Sequence, residues 1–565
     1  MTSKSETQPE ESKEKISKKA AKKEAAKLEK LRRRQEKEEE TRKTASMSVE
    51  DEDDEYSSNY GNVNLSELPD PKARKWREAV EGKEWTDVSD LVGEMVGSEV
   101  LIRGRVHTSR LFFVYLRQSG STVQCVAKQK NMIRFLKQLS NESIVDVIGV
   151  VSLPKDPVTV ATQQVEIHVR KVYCLSRSLP QLPLIVEDAA RSETDMHYFK
   201  KDGTPAVRAR ILQDTRLNNR VLDLRTPANQ AIFSLTCRFK YTFAELLVSE
   251  DFIDINTPRL IGGTSEGGCA VFSFDYKGQP ACLAQSPQLH KQMAVCGDFQ
   301  RVFVIGPVFR AEDSFSHRHL CEFTGVDVEM VIRKDYTEAS LCCYKYNFLS
   351  STLYANIYVF SLFMQLMDLV ERLFLPTFTK INDMFSKELE AINKQYPFEP
   401  LKFLPKTLLL TYEEGIQMLK EAGKEVDPFG DLNADSERKL GQLIREKYNT
   451  DFYILHRFPL AVRPFYTMPC EDDPRYSKSF DVFLRGEEII SGGQRIHDPE
   501  LLEKRARECG IDVKTLSTYI DSFRYGAPPH GGFGMGLERV VMLFCGLDNI
   551  RKTSLFPRDP HRLAP

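Results

Sequence analysis

Phe309-Arg310-Ala311-Glu312-Asp313-Ser314-Phe315-Ser316-His317-Arg318-His319-Leu320-Cys321-Glu322-Phe323 is the stretch on which the reading of this 565-residue chain turns. An apolar run, Val302-Phe303-Val304-Ile305, precedes it and predicts a buried strand. Val326-Asp327-Val328-Glu329-Met330 follows, and its alternation predicts a second strand with Asp327 and Glu329 on one face. Two strands thus flank a loop holding two arginines, two histidines and aromatic rings. Each guanidinium is a planar fork suited to a phosphate or carboxylate, and a ring beside it can stack on a base. Arg-x-Glu on its own is equally compatible with a surface ion pair, so the neighbouring stretches have to decide.

Downstream, Asp481 and Glu488 in the run Phe480–Arg495 are hard oxygen ligands able to share a magnesium ion with phosphates, and Gly486 between them permits a bend or bulge. Arg495 suits a bidentate grip on a carboxylate. Gly531-Gly532-Phe533-Gly534-Met535-Gly536-Leu537-Glu538-Arg539 opens a helix, and its glycines let backbone lie close to a nucleotide. Upstream, Gln285-Ser286-Pro287-Gln288-Leu289-His290-Lys291 sets an ammonium near a carboxamide, a pairing that can hold a substrate with both an amine and a carboxylate. Thr264-Ser265-Glu266-Gly267-Gly268 reads as a mobile loop. A helix is expected from Ala228 to Ser249, with Leu235, Phe239, Phe243 and Leu246 on its buried face.

Composition bounds the class. Hydrophobic content of 41% and charged content of 28% fit a soluble globular protein of several domains. A net charge of -2 gives no overall argument for nucleic acid, which must come from local patches. Twelve cysteines without a C-x-x-C pair argue against a disulfide framework or zinc site and fit a reducing compartment. The first residues lack an apolar targeting core and carry early acids, so a cytosolic location is expected. Glu11–Lys43 is rich in Lys, Glu, Ala and Arg; it is either a solvated tail or a basic arm that tracks phosphates. Glu50-Asp51-Glu52-Asp53-Asp54-Glu55 reads as a linker. Between about Gly97 and Ser178, five short β-rich runs predict a small barrel, with Phe113, Gln124 and Arg110 on one sheet and its rim. Such a platform suits unpaired bases, although a barrel can also be purely structural. The stretch Ser340–Leu369 is unusual: Tyr346 to Met367 contains no charge, yet its scattered Asn, Ser, Thr and Gln and its place between motifs favour an added apolar helix or loop over a membrane span.

Taken together, Phe309–Phe323 resembles motif 2 of the class II aminoacyl-tRNA synthetases, in detail that of the aspartate-specific members. The helix, the strand Phe252–Asn256 and Pro258 resemble motif 1, and Gly531–Arg539 resembles motif 3. The ending Leu555-Phe556-Pro557-Arg558-Asp559-Pro560 also matches. The resemblance runs from about Val100 to the end, except near Ser340–Leu369. It implies an α+β protein: residues 1–60 a charged lysine-rich extension and acidic linker, 61–96 a linker, 97–178 an OB-fold anticodon-binding barrel, 179–225 a hinge, and 226–565 a class II catalytic domain, an antiparallel sheet flanked by helices, with an apolar insert near 340–369. It implies ATP and Mg2+, L-aspartate, tRNA(Asp) and a homodimer through motif 1; membership of a larger synthetase assembly is left open.

By the same resemblance, Arg310 and Arg539 are catalytic. Arg310, Ala311, Glu312, Arg318, His319, Leu320, Phe323, Glu488, Gly536, Leu537, Glu538 and Arg539 would meet ATP, with Phe323 against adenine and Arg539 on the γ-phosphate. Glu266, Gln288, Lys291, Arg310, Asp327, Ser491 and Arg495 would meet aspartate, and Asp481 and Glu488 the metal. Arg110, Phe113, Gln124 and Glu166 would meet the anticodon. Lys291 and Arg495 together are expected to favour a carboxylate over an amide, because an amide leaves buried cations unpaired. Two departures from the family stand out. The link from Val106–Arg110 to the next strand is shorter, and Phe533 replaces a common glycine, where its ring is expected to crowd the nucleotide or the strand crossing. An asparagine-specific synthetase and an RNA-binding paralogue without catalysis are the competing readings; Lys291 speaks against the first, and the intact set Arg310, Asp481, Glu488 and Arg539 against the second.

Overall fold

The computed structural model describes residues 56–64, 70–110, 112–195, 197–199, 205–207, 210–262, 271–332 and 351–564. The lysine-rich extension, Glu266 and the segment 333–350 lie outside the described residues. The chain divides into two compact units, Met1–Pro183 and Leu184–Pro565.

The first unit is built on a closed barrel. Strands β2 (Glu99–Arg110), β3 (Phe113–Gln118), β4 (Ser121–Val126), β5 (Ile144–Ser152) and β6 (Glu166–Ser176) follow the order β6-β4-β3-β2-β5, and β5 pairs back onto β6. Alternate residues point inward, so Val100, Ile102, Val114, Leu116, Val123, Cys125, Val145, Val147 and Ile167 share one core. Only two residues separate β2 from β3, and Arg110 pairs directly with Phe113, so the shortened link is a tight hairpin. The described residues 61–64 and 70–96, expected as a linker, include a strand and a helix. Strand β1 (Tyr60–Asn62) adds parallel to β6. Helix Pro71–Val80 follows, capped by Asp70, which accepts from the Lys72 N–H, with Pro71 at its first position. Trp76 explains the docking: its indole N–H donates to Asp146 at 2.8 Å, and Arg103 grips the same carboxylate at 2.7 and 2.9 Å.

The second unit is built on an eight-stranded sheet with helices behind it; a three-stranded sheet (Leu260–Ile261, Ser273–Tyr276, Gln279–Leu283) and a two-stranded one (His197–Phe199, Pro205–Val207) accompany it. In chain order the strands of the large sheet are β7 (Ile253–Asp254), β8 (Arg301–Phe309), β9 (Glu322–Val331), β10 (Leu408–Thr411), β11 (Phe452–His456), β12 (Ser479–Leu484), β13 (Glu487–Gln494) and β14 (His530–Gly536). Their spatial order is β10-β11-β12-β13-β14-β9-β8-β7. The two outermost pairs are parallel and the rest antiparallel. Period-two alternation divides the faces: Val326, Val328, Met330, Phe480, Val482, Phe533 and Met535 join the core beneath the helices Pro227–Ser249, Ser351–Met384 and Leu537–Phe544, which leaves Asp327, Glu329, Asp481, Gly532, Gly534 and Gly536 on the opposite face, with Gly531 toward the core.

Helix Pro227–Ser249 starts at an N-cap, Thr226, followed by Pro227. Leu235, Phe239, Phe243 and Leu247 form its buried row, with Leu246 only partly covered. The apolar stretch around 340–369 ends as scaffold: Leu366, Met367, Leu369, Val370 and Phe374 are buried in the main core. Among the described residues no helix is long and apolar enough to cross a membrane.

Candidate active site

The polar face of the sheet floors a cleft of about 290 Å³. The loop between β8 and β9 forms one wall. Arg310, Glu312, Arg318, His319, Leu320 and Phe323 line it, and Glu488, Gly536, Glu538 and Arg539 complete this end. Ala311 and Leu537 are not among the lining residues; Leu537 is buried in the core. Gln288, Asp327, Ser491 and Arg495 line the other end. Five arginines (Arg463 is the fifth) and four carboxylates, Glu312, Asp327, Glu488 and Glu538, therefore face one cavity.

Each cation is held by a neighbour. The Arg310 guanidinium lies 5.6 Å from the centre of the Phe323 ring. Arg318 donates to Glu437 at 2.7 Å. Arg539 donates to the carbonyls of Glu488 at 3.0 Å and Arg318 at 3.2 Å, so its fork ties motif 3 to the loop. His319 sits amid this charge, its Nδ1 2.6 Å from the Ser316 hydroxyl. Burial, then the charges of Arg539, Arg318 and their neighbours, push it down to about 4, so it is neutral at physiological pH. Glu538 accepts the Thr324 N–H on both oxygens, and burial raises its pKa above the usual value.

The inner end is a compensated charge network. Lys291 is fully buried, with Nζ 3.2 Å from Asp327 Oδ1, 3.4 Å from Glu329 Oε2, and donating to the carbonyls of Val328 and Phe533 at 3.3 and 3.2 Å. Arg495 grips Glu329 at 2.9 and 3.2 Å and reaches Gln288 at 3.5 Å. Burial pushes the Glu329 pKa up, but Arg495 and Lys291 outweigh it and hold it below its ordinary value. This corrects the specificity argument. Neither cation lacks a counterion, so an amide substrate would not leave bare buried charge, and Lys291 lies behind the cleft lining rather than on it. Nη1 of Arg495 makes no hydrogen bond among the described residues and is the donor left for a substrate.

Strand geometry explains how Glu488 and Ser491, three apart, both line the cleft. Asp481 pairs with Ser491 and Val482 with Ile490, but Phe483 pairs with Glu488, so Ile489 is an extra residue. This β-bulge turns Glu488 onto the face of Asp481 and Ser491. The bend lies within the strand; Arg485 and Gly486, with φ of 51° and 77°, make the two-residue hairpin turn. Asp481 is gripped by Arg463 at 2.6 and 2.9 Å, and Arg463 also donates to Ser491 at 3.0 Å. Burial and the Asp481 charge raise Glu488 to about 7. Among the described residues no three metal-ligating side chains cluster.

The glycines of β14 serve the carboxylates. A Cβ at Gly532 would lie 2.3 Å from Glu329 Oε2, and one at Gly534 2.8 Å from Asp327 Oδ1. Phe533 points the other way: it is fully buried, with its ring centre 6.5 Å from that of Phe480. The expected crowding of a nucleotide does not occur. Sequence reasoning missed Arg463, Glu437 and Tyr466, whose ring centre lies 5.3 Å from the Arg495 guanidinium. It also missed Arg551, which is buried, lies 4.2 Å from the centre of the Phe315 ring, and donates to the Ser316 carbonyl at 2.9 Å. None of these carried a local signal, because each takes its meaning from a partner distant in sequence.

Comparison with known proteins agrees with this geometry. A family of tRNA synthetases class II (D, K and N) matches residues 212–342 and 353–560, and an OB-fold nucleic acid binding domain matches 97–175. The fold and cleft are thus those of a class II tRNA synthetase. The chain is 67% identical over 540 residues to the cytoplasmic aspartate–tRNA ligase 2 of Arabidopsis thaliana, covering 93% of this chain and 91% of that one. It is 66% identical to the cytoplasmic aspartate–tRNA ligase 1 of the same plant, covering 98% and 99%. The aspartyl tRNA synthetase of Entamoeba histolytica superposes with a TM-score of 0.75 at 42% identity, covering 90% and 96%. The chain belongs to the aspartate–tRNA ligase family.

Proposed function

We propose that the cleft joins L-aspartate to tRNA(Asp) in two steps. An oxygen of the aspartate α-carboxylate attacks the α-phosphorus of ATP, the bond to the β-phosphate breaks, and pyrophosphate leaves. The 3′-hydroxyl of the terminal ribose of tRNA then attacks the acyl carbon; AMP leaves and the hydroxyl proton is lost. No side-chain nucleophile is needed, so catalysis is positioning plus charge stabilisation. The observation that carries this reading is the sharing of one cleft by Arg310, Arg539, Glu488, Asp327 and Arg495.

Arg310 neutralises charge developing on the α-phosphate, Arg539 and Arg318 hold the outer phosphates with His319 beside them, and Phe323 stacks on adenine. Arg495 takes the substrate's side-chain carboxylate through Nη1, and Asp327 takes its ammonium, with Gln288 and Ser491 alongside and Glu266 closing from its loop. Lys291 acts through Asp327 and Glu329. Ala311 and Leu537 hold the backbone of the loop and of motif 3. Asp481 and Glu488 fit Mg2+, which supplies charge neutralisation on the phosphates when bound. Phe113, Gln124, Glu166 and Arg110 receive the anticodon on the barrel. Exposed Tyr241, Val248 and Ile253, on the motif 1 helix and edge strand, support a homodimer through that surface. The Arabidopsis relatives are named cytoplasmic, and the chain is assigned to that compartment with them.

ATP–pyrophosphate exchange without tRNA tests the reading, with L-aspartate, L-asparagine and L-lysine in parallel. Exchange with aspartate alone is expected, and Arg310→Ala should lower it by about a thousandfold or more with the fold intact. Exchange with asparagine would refute the assignment of Arg495, and near-normal exchange by Arg310→Ala would refute its role.

A further inference from the structure

We infer that Tyr115 and His168 are positioning residues that fix the base-reading side chains of the barrel, Tyr115 by locking the amide of Gln124 and His168 by anchoring Glu166. The inference rests on the proposed tRNA-binding role of this barrel. It starts from register. Phe113 pairs with Val126 and Tyr115 with Gln124 across β3 and β4; Gln124 pairs with Glu166 and Val126 with His168 across β4 and β6. Residues two apart on a strand, and direct partners across strands, share a face. Phe113, Tyr115, Gln124, Glu166 and His168 therefore stand on one patch. The rings of Phe112 and Phe113, 4.2 Å apart, form its apolar part.

The polar part is one unbroken chain. The Tyr115 hydroxyl is 2.8 Å from Gln124 Oε1, Gln124 Nε2 is 2.8 Å from Glu166 Oε2, and His168 Nε2 is 3.0 Å from Glu166 Oε1. Its polarity is forced. A carboxylate only accepts, so the amide nitrogen of Gln124 must face Glu166 and its oxygen must face Tyr115. Tyr115 must then donate, and His168 must present a protonated Nε2. One N–H of Gln124 remains uncommitted among the described residues, beside a carboxylate with spare lone pairs. An amide free to turn over could offer a base either a donor or an acceptor; this one offers a donor only. Tyr115 cannot itself read a base freely, because its one donor is spent on Gln124 and its ring packs with Val158, Ala161 and Phe113.

The test measures aminoacylation kinetics with tRNA(Asp) transcripts carrying each anticodon base replaced in turn. Tyr115→Phe keeps the ring and removes the donor. It should raise KM for tRNA(Asp) about five- to tenfold with kcat nearly unchanged, and it should weaken discrimination at one anticodon position only. ATP–pyrophosphate exchange should stay at the wild-type level, which separates failure of this inference from failure of the catalytic assignment. In a Gln124→Ala background Tyr115→Phe should add nothing. His168→Ala, at a part-exposed position where folding is not at risk, should raise KM for tRNA similarly and add nothing to Glu166→Ala. Unchanged KM and discrimination in Tyr115→Phe, an equal effect on all transcripts, or an effect that persists without Gln124 would overturn the proposal.

Discussion

The two surfaces of this chain that meet substrate handle charge in opposite ways. In the cleft, Lys291, Arg495, Asp327 and Glu329 compensate one another within a few ångström, with Lys291 and Glu329 fully buried. On the barrel, a single carboxylate, Glu166, accepts from Gln124 on one side and His168 on the other. Buried charges are costly unless paired, so the cleft network must be complete for the domain to fold. A lone carboxylate at a part-exposed position carries less of that requirement. Changes in the cleft should therefore cost stability as well as activity, whereas changes on the barrel face should cost recognition alone.

The largest expected break of this contrast is Glu329→Gln. It leaves Lys291 and Arg495 with one carboxylate fewer in a dry site, and should lower unfolding free energy by about 3–5 kcal/mol. Denaturant unfolding checks it; loss of exchange with unchanged stability would show that the network is not a folding requirement. Acid is the next probe. Burial holds His456 down to about 4, as burial and neighbouring arginines do for His319. The unfolded chain protonates these groups near 6.5 and the native one does not, so native stability should fall as pH drops from about 6.5 towards 4. For His456 alone the loss approaches about 3 kcal/mol at the lower end. His456→Gln should flatten that slope, seen as midpoint against pH; an unchanged slope would place the acid sensitivity elsewhere. The smallest effect is expected on the barrel: Phe113→Ala should raise KM for tRNA by the equivalent of about 1–3 kcal/mol of lost stacking, with exchange and thermal midpoint unmoved. A fall in exchange would break the separation of the two surfaces.

Much of this was legible in the sequence because it is local. The alternation around Asp327 and Glu329 put both carboxylates on one strand face. The run around Phe533 was read only as the approach to a helix, with the ring expected against the nucleotide or the strand crossing; in the sheet, Gly532 and Gly534 take the polar face and leave position 533 to the core. What was not legible depends on partners far along the chain. Residues 61–96 looked like a linker because their anchor, Asp146, lies 70 residues beyond Trp76. Arg463 and Arg551 read as ordinary surface cations until the sheet brings Asp481 and the loop at Phe315 to them. Lys291 was identified, but its burial and its two countercharges, which change its part in specificity, exist only once β9 and the helix Gln288–Cys296 meet.

The extra residue at Ile489 has a consequence for how this chain can vary. Glu488 and Ser491 stand three apart, an odd count that an even ladder would put on opposite faces; the bulge at Ile489 is what brings both to the side of Asp481. Deleting Ile489 would leave them two apart, on one face with no bulge needed. A relative can therefore lose the extra residue and the bulge together and keep this chemistry, but it cannot lose the bulge alone: count and kink vary as a pair.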